Sequence, residues 1–373
     1  MKTAAASLAL VLALGLVVPA AGGDAPEGPF AALERALAKP PATGLLVTGV
    51  GEGSQAAGAG IVPGEVVVSY DGVATTALEI LADAKAKAEA AGKETVTMEV
   101  AGADGARRKV DLAPGQIGIN VVAVKEGVPA PALPDATAVV FDYAALAASP
   151  RDTWYLFTLP GQPPTGLEHV RARLEEGRVV IESEVAFDGG EQWGVNHFVV
   201  SVVLEATNPP TVRSTRFENP EQGFVGEGRL ETSEGGGASW RATIRGARGQ
   251  AQERVFALPT DAPAVPSYAL QVLAALLPRA AGSCFHYRAL EDATGVVGLK
   301  GCLYAAGVGE WPGAEGRTAK VEQRLFGNAP GMAFFVGTDG EVVRAEFGGP
   351  VTTKATKEEA LQKTPSGVTL RTN

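Results

Sequence analysis

GLLVTGVGEGSQAAGAGIVPGEVVVSYDG, residues 44–72, is the stretch on which the reading of this chain turns. Leu45, Leu46, Val47 and Val50 make an apolar run of strand length, and residues 66–70 make a second, closed by the turn pair Asp71-Gly72. Between them, residues 55–60 have the length of one helical turn and carry only small side chains after Gln55. Ala56, Ala57 and Ala59 let that turn pack closely, and Gly60 and Gly64 permit backbone geometry that other residues resist. Two short strands joined by a small-residue turn predict a compact β module.

The neighbouring segments extend the module on both sides. Residues 29–38 have a short helical pattern ended by Pro40 and Pro41. Downstream, Thr76 and Glu79 have capping-box spacing for a helix that runs to Ala91 and stops at Gly92, with an apolar stripe of Ala77, Ile80, Leu81, Ala84 and Ala88. Strands at 95–100 and 107–112 flank an Ala-Asp-Gly turn, and GQIGIN, residues 115–120, follows.

Through GLLVTGV and SQAAGAGIVPGEVVVSYDG this order resembles the PDZ domain, in the circularly permuted form found beside bacterial HtrA-type and C-terminal-processing proteases. Its relatives carry a strand, a small-residue turn, an A-G-[LI]-x-x-G-[DE] step and a strand ending in [ND]-G. The resemblance covers residues 41–124, with Glu65 where the family usually has Asp. It implies that the N–H groups around Gln116, Ile117 and Gly118 receive a peptide's terminal carboxylate, and that Ile119, Asn120, Val121 and Val122 offer a strand edge to the extended peptide. Ile80, Leu81 and Ala84 would form the opposite wall, so the groove should favour an apolar last residue. The other reading of GQIGIN is a turn into a structural strand, since each of its apolar residues also suits a core.

With 373 residues, 46% of them hydrophobic and 20% charged, the chain is long enough for two domains. Its 47 glycines, 25 prolines and 6% aromatics favour many short strands and turns. A net charge of −10, with no basic run interleaved with aromatics, argues against a nucleic-acid partner. Residues 1–21 have the layout of a secretory signal: Lys2, the apolar core 8–18, then small residues. Pro19 breaks that core and no basic cluster follows, so a retained membrane span is disfavoured. The only cysteines, Cys284 and Cys302, lie far from any lipid-attachment point. The expected product is periplasmic or secreted, with no stable membrane span once the signal is removed.

The expected domains are thus a PDZ-like unit at 28–126, a proline-rich linker at 127–137, a β-rich domain at 138–363 and a polar tail at 364–373. The fold class is α+β, mainly β, the second domain being an antiparallel β-meander or half-barrel with one or two helices. One helix is expected at 267–277, another from Thr356 to Lys363, and a hairpin tip at Asp339-Gly340. The closing GTDGEVVRAEFGG weakly resembles the last hairpin of uncharacterised exported bacterial β-meander domains, which implies no activity.

No nucleophile elbow, zinc-protease helix, Cys-x-x-Cys, P-loop or aspartic-protease triplet is present in the sequence. His169, His197 and His286 occupy separate strand-like runs, which reads as three partly buried polar residues; neither metal nor cofactor is expected. The leading expectation is an exported, non-catalytic binding protein that takes a protein C-terminus. The alternatives are a carrier of an apolar ligand, with a cavity between the helix at 267–277 and the sheet, and a cryptic hydrolase, marked by a buried acidic pair among Glu182, Glu184 and Glu205. Residues 284–302 read as a hairpin centred on Ala293, which sets Cys284 opposite Cys302 and predicts a disulfide stabilising by roughly 3 kcal/mol. Two buried free thiols are the other reading.

Overall fold

The computed structural model describes residues 31–50, 54–115, 117–130, 132–159, 161–190, 194–232, 238–246, 249, 251–258, 260–290, 297–309, 318–325, 330–347 and 350–371. The expected signal, Gln116 and the turn at 291–295 lie outside them. The chain divides into two compact units, with the boundary in sequence between Leu133 and Pro134. No helix among the described residues is long and apolar enough to cross a membrane.

The smaller unit is built on an antiparallel sheet. Its strands are β1 (Gly44–Val50), β2 (Val66–Tyr70), β3 (Val73–Ala74), β4 (Val96–Ala101), β5 (Arg107–Leu112) and β6 (Ile119–Val124). They lie in the order β5-β4-β2-β1-β6, with β3 paired to β2. On one face Leu45, Val47, Val67, Met98 and Val100 pack with Ala56 of α2 (Gln55–Gly58) and with Leu81, Ala84 and Ala88 of α3 (Leu78–Ala90). Helix α1 (Ala31–Ala38) packs against β1 and buries Leu33 and Leu37 completely. Gly64, at φ +96°, passes so close to α1 that an added Cβ would sit 3.1 Å from the Ala32 carbonyl carbon.

One local expectation fails here. The N-cap of α3 is Ala77, with no side-chain cap bond, so the Thr76/Glu79 capping box does not form. The adjacent threonine, Thr75, instead turns inward, fully buried, and its hydroxyl donates to the Val67 carbonyl at 2.9 Å. Gly92 ends the helix in the left-handed region at φ +63°, as expected of a C-terminal glycine.

The larger unit holds a 15-stranded sheet. Its first arm is a meander of β7 (Arg151–Thr158), β8 (Pro164–Glu175), β9 (Arg178–Asp188), β10 (Val195–Glu205), β11 (Thr211–Asn219), β12 (Phe224–Thr232), β13 (Ala238–Arg245) and β14 (Ala251–Ala257). The second arm is β15 (Ala264–Pro266), β16 (Cys284–Leu290), β17 (Val297–Gly309), β18 (Thr318–Leu325), β19 (Pro330–Val336), β20 (Val342–Glu346) and β21 (Val351–Ala355). The arms join where β21 pairs antiparallel with β7, and β15 pairs parallel with β16. The sheet curls far enough for β15 to touch β11.

The sheet wraps around α5 (Ala269–Leu276), whose sequence ALQVLAAL is apolar nearly all round. Leu270, Leu273 and Leu276 are at most 2% exposed and share one cluster with Phe157, Phe187, Phe198, Phe217, Tyr287 and Phe334. A short helix, α4 (Tyr143–Ala148), adds Tyr143 and Leu146 to that cluster. On a second face, Trp154, Leu167 and Ala186 are covered by Ala360 of α6 (Lys357–Lys363), Val368 and Leu370. Helix α6 starts with the expected capping box, Thr356 and Glu359 bonding reciprocally at 3.1 Å. The expectation of a merely polar tail is corrected: Val368 and Leu370 are buried, because the exposed side of β7–β9 is apolar there and must be covered.

Candidate functional site

Strand β6 ends the smaller sheet. It runs antiparallel to β1, from Val50↔Ile119 to Gly44↔Val124, and among the described residues it has no neighbour on its other edge. Helix α3 packs beside it. The chain enters β6 through Gly115 at φ +112° and Gly118 at φ +80°, conformations that L residues with a Cβ rarely adopt. At Gly118 an added Cβ would lie 2.3 Å from that of Ser54, so the loop is pressed onto the N-cap of α2.

The expected peptide-binding residues meet partly as predicted. The Ile117 side chain is 3% exposed in the core, and its carbonyl accepts from Ala56 N–H at 3.1 Å. The N–H groups of Ile117 and Gly118 have no acceptor among the described residues; Gln116 lies outside them. Ile119 and Val121 lean on the core while partly exposed, and Asn120 and Val122 are partly exposed as well. On α3, Leu81 and Ala84 are about 5% exposed or less and committed to the core, so of the expected wall only Ile80 keeps appreciable surface.

Two residues of α3 were missed in the sequence. Lys85 follows Leu81 by four positions and so shares its helix face. Burial lowers its pKa, and the Glu89 carboxylate opposes that shift. A Glu89 carboxylate oxygen stands 3.3 Å from where a Cβ on Gly115 would be. The Glu89 carboxylate thus stands at the loop, with Lys85 one turn before it on α3.

The hydrolase marker does not assemble. Glu182 and Glu205 are partly exposed on arginines, Arg173 at 2.8 Å and Arg213 at 2.7 Å, and only Glu184 is buried, 2.7 Å from His197 Nε2. A buried acid outside that trio is Glu168, 6% exposed on β8, to which the Ser183 hydroxyl donates at 3.0 Å. Burial pushes its carboxyl up to about 7, against the Ser183 bond. His169 stacks on Trp154 at 4.2 Å between ring centroids and bonds Asp152 at 2.6 Å. His169 and His197 lie on the strands flanking β9, whereas His286 lies on β16.

A cleft of about 420 Å³ near the C-terminal end of α5 is lined by Val140, Ala275, Leu276 and Leu277 together with the charged Asp142, Arg151, Arg279, Asp339 and Glu341.

The cysteine hairpin is displaced from its predicted register. Strand β16 pairs with β17 as Cys284↔Tyr304 and His286↔Cys302, with an irregularity between Arg288 and Leu290. The expected direct opposition of Cys284 and Cys302 is therefore corrected to a diagonal one, and both are free, fully buried thiols in place of the predicted disulfide. The Cys284 thiol donates to the Pro134 carbonyl at 3.6 Å; its contact with Cys302, then burial, raises the Cys284 pKa, while the same contact lowers that of Cys302, with the nearby Arg324 guanidinium acting in the same direction.

No protein-family model matches the chain, and no curated protein is similar to it in sequence.

Proposed function

We propose that the smaller unit is a PDZ-type module that captures a protein C-terminus or extended peptide by strand addition to β6, in a protein exported through its leader at 1–21. The observation that carries this reading is the one-sided pairing of β6 beside α3, entered through a loop whose Ile117 and Gly118 N–H groups have no acceptor among the described residues. An incoming strand would satisfy the backbone groups of that edge, and Ile80, Val122 and the aliphatic stem of Lys85 would favour an apolar terminal side chain. The affinity expected of such a groove is near micromolar, about −8 kcal/mol.

Titrating the full chain against peptides with free apolar C-termini, and against the same peptides amidated, tests the assignment. Free termini should bind, amidation should weaken binding, and Ile80→Glu should abolish it without unfolding the chain. Failure of every peptide to bind would leave residues 115–120 as a structural turn. N-terminal sequencing of the mature protein should begin near Ala21 or Gly22; an intact Met1 would overturn export by cleavage.

A further inference from the structure

Cys284, His286 and Cys302 bring one ligand atom each to within 4.8 Å of one another. Two of them are the chain's only cysteines. All three stand on the face of the second arm opposite α5, because Phe285, Tyr287 and Leu303, which alternate with them, point into the α5 cluster. Residues 134–137 pass beside this group: Thr137 N–H donates to the Cys284 carbonyl, and the Thr137 hydroxyl accepts from Cys284 N–H, both at 2.9 Å. The Pro134 carbonyl lies 2.7 Å from His286 Nε2 and 3.6 Å from Cys284 Sγ.

We infer that Cys284, His286 and Cys302 form a binding site for a single thiophilic d10 cation, Zn²⁺ or Cu⁺. Two sulfurs and one imidazole nitrogen are the donor set such ions prefer. Donors at ~2.0–2.3 Å from a common ion lie roughly 3.5–3.8 Å apart, so these atoms need contract by only about an ångström. A backbone carbonyl holding one ring N–H leaves the lone pair on the other nitrogen and fixes the ring, the usual support of a metal-bound histidine.

The register distinguishes this use of the cysteines from a disulfide. Diagonal residues on an antiparallel pair have Cα atoms about 7–8 Å apart, beyond the usual disulfide range, whereas an ion between the sulfurs spans that offset. Binding is a ligand exchange without oxidation: Cys284 and Cys302 each give their S–H proton to solvent as the two metal–sulfur bonds form, and the ion sheds bound water in exchange. Three protein donors leave a coordination position for water or a further ligand on Zn²⁺, and complete a trigonal set for Cu⁺.

The test uses the full chain, reduced and freed of metal, in two arms: Zn²⁺ and Cu⁺, each titrated in competition with a chromophoric chelator. One equivalent should be held per chain in at least one arm, and which arm holds it identifies the ion. Co²⁺ should give an intense thiolate-to-metal charge-transfer band in the unmutated protein, a readout that needs no variant. Cys302→Ser and His286→Ala should each lose the bound equivalent while circular dichroism still shows the sheet. Three results would overturn the site: no stoichiometric binding of either ion, binding that survives both substitutions, or, where Zn²⁺ is the ion held, a Co²⁺ spectrum without the sulfur band.

Discussion

Glu168 and Glu65 are acids in opposite settings, and each predicts a different response. In the folded chain Glu168 holds its proton up to about pH 7, whereas an ordinary glutamate releases it near 4.5. Between those values the folded state binds more protons than the unfolded one, so this group's contribution falls as pH rises through the window and stays low above it. The loss is on the order of 3 kcal/mol. Urea unfolding at pH 5 and pH 8 should show it in the native chain and not in Glu168→Gln; an equal fall in both would refute the assignment. Glu65 instead faces Arg108, which donates to both carboxylate oxygens at 3.0 and 2.8 Å and to the carbonyls of Ala59 and Gly60. Glu65 also accepts from Val62 N–H at 3.1 Å, so one side chain ties the small-residue turn to β5. Arg108→Ala should lower the stability of the smaller unit by about 1–2 kcal/mol in thermal unfolding. The family-type position of Glu65 was legible in the sequence; its partner, 43 residues away, was not. The same limit hid the metal-type cluster: His286 and Cys302 meet only because the hairpin register is displaced.

Among the elements, those punctuated locally were read well. Asp71-Gly72, Gly92 and the Thr356/Glu359 box act within a few residues, and the structure contains each of them. The Thr76 cap failed because the packing of Thr75 under β2 moved the helix start to Ala77, a choice that tertiary contacts make. The parallel pairing of β15 with β16 and the joining of β7 to β21 left no short-range signal. Close inter-strand packing gives a further prediction. At Gly228 on β12 an added Cβ would stand 2.3 Å from the ring of Trp240, a side chain with no solvent exposure on β13. Gly228→Val should displace that ring, shift tryptophan emission to the red and cost about 1–3 kcal/mol, while Arg229→Val, at a mainly exposed neighbouring position, should do neither.

Considered whole, the molecule is two units with separate cores, and in the larger the two arms of the sheet pair along one seam, between the first and last of its strands. Val351↔Thr158 to Ala355↔Trp154 are the pairs of that seam. Ending the chain after Pro350 should therefore loosen both arms together and not merely fray a terminus, which limited proteolysis would show as cleavage within β7 and β8 as well as near the new end. The same seam sets a timetable during synthesis. About 190 residues separate its two strands, so at roughly 5–20 residues per second the open edge of β7 waits on the order of 10–40 seconds for its partner. During that interval the first arm is a nascent sheet with an unprotected flank, and the last strands made act as its cover against association with other chains.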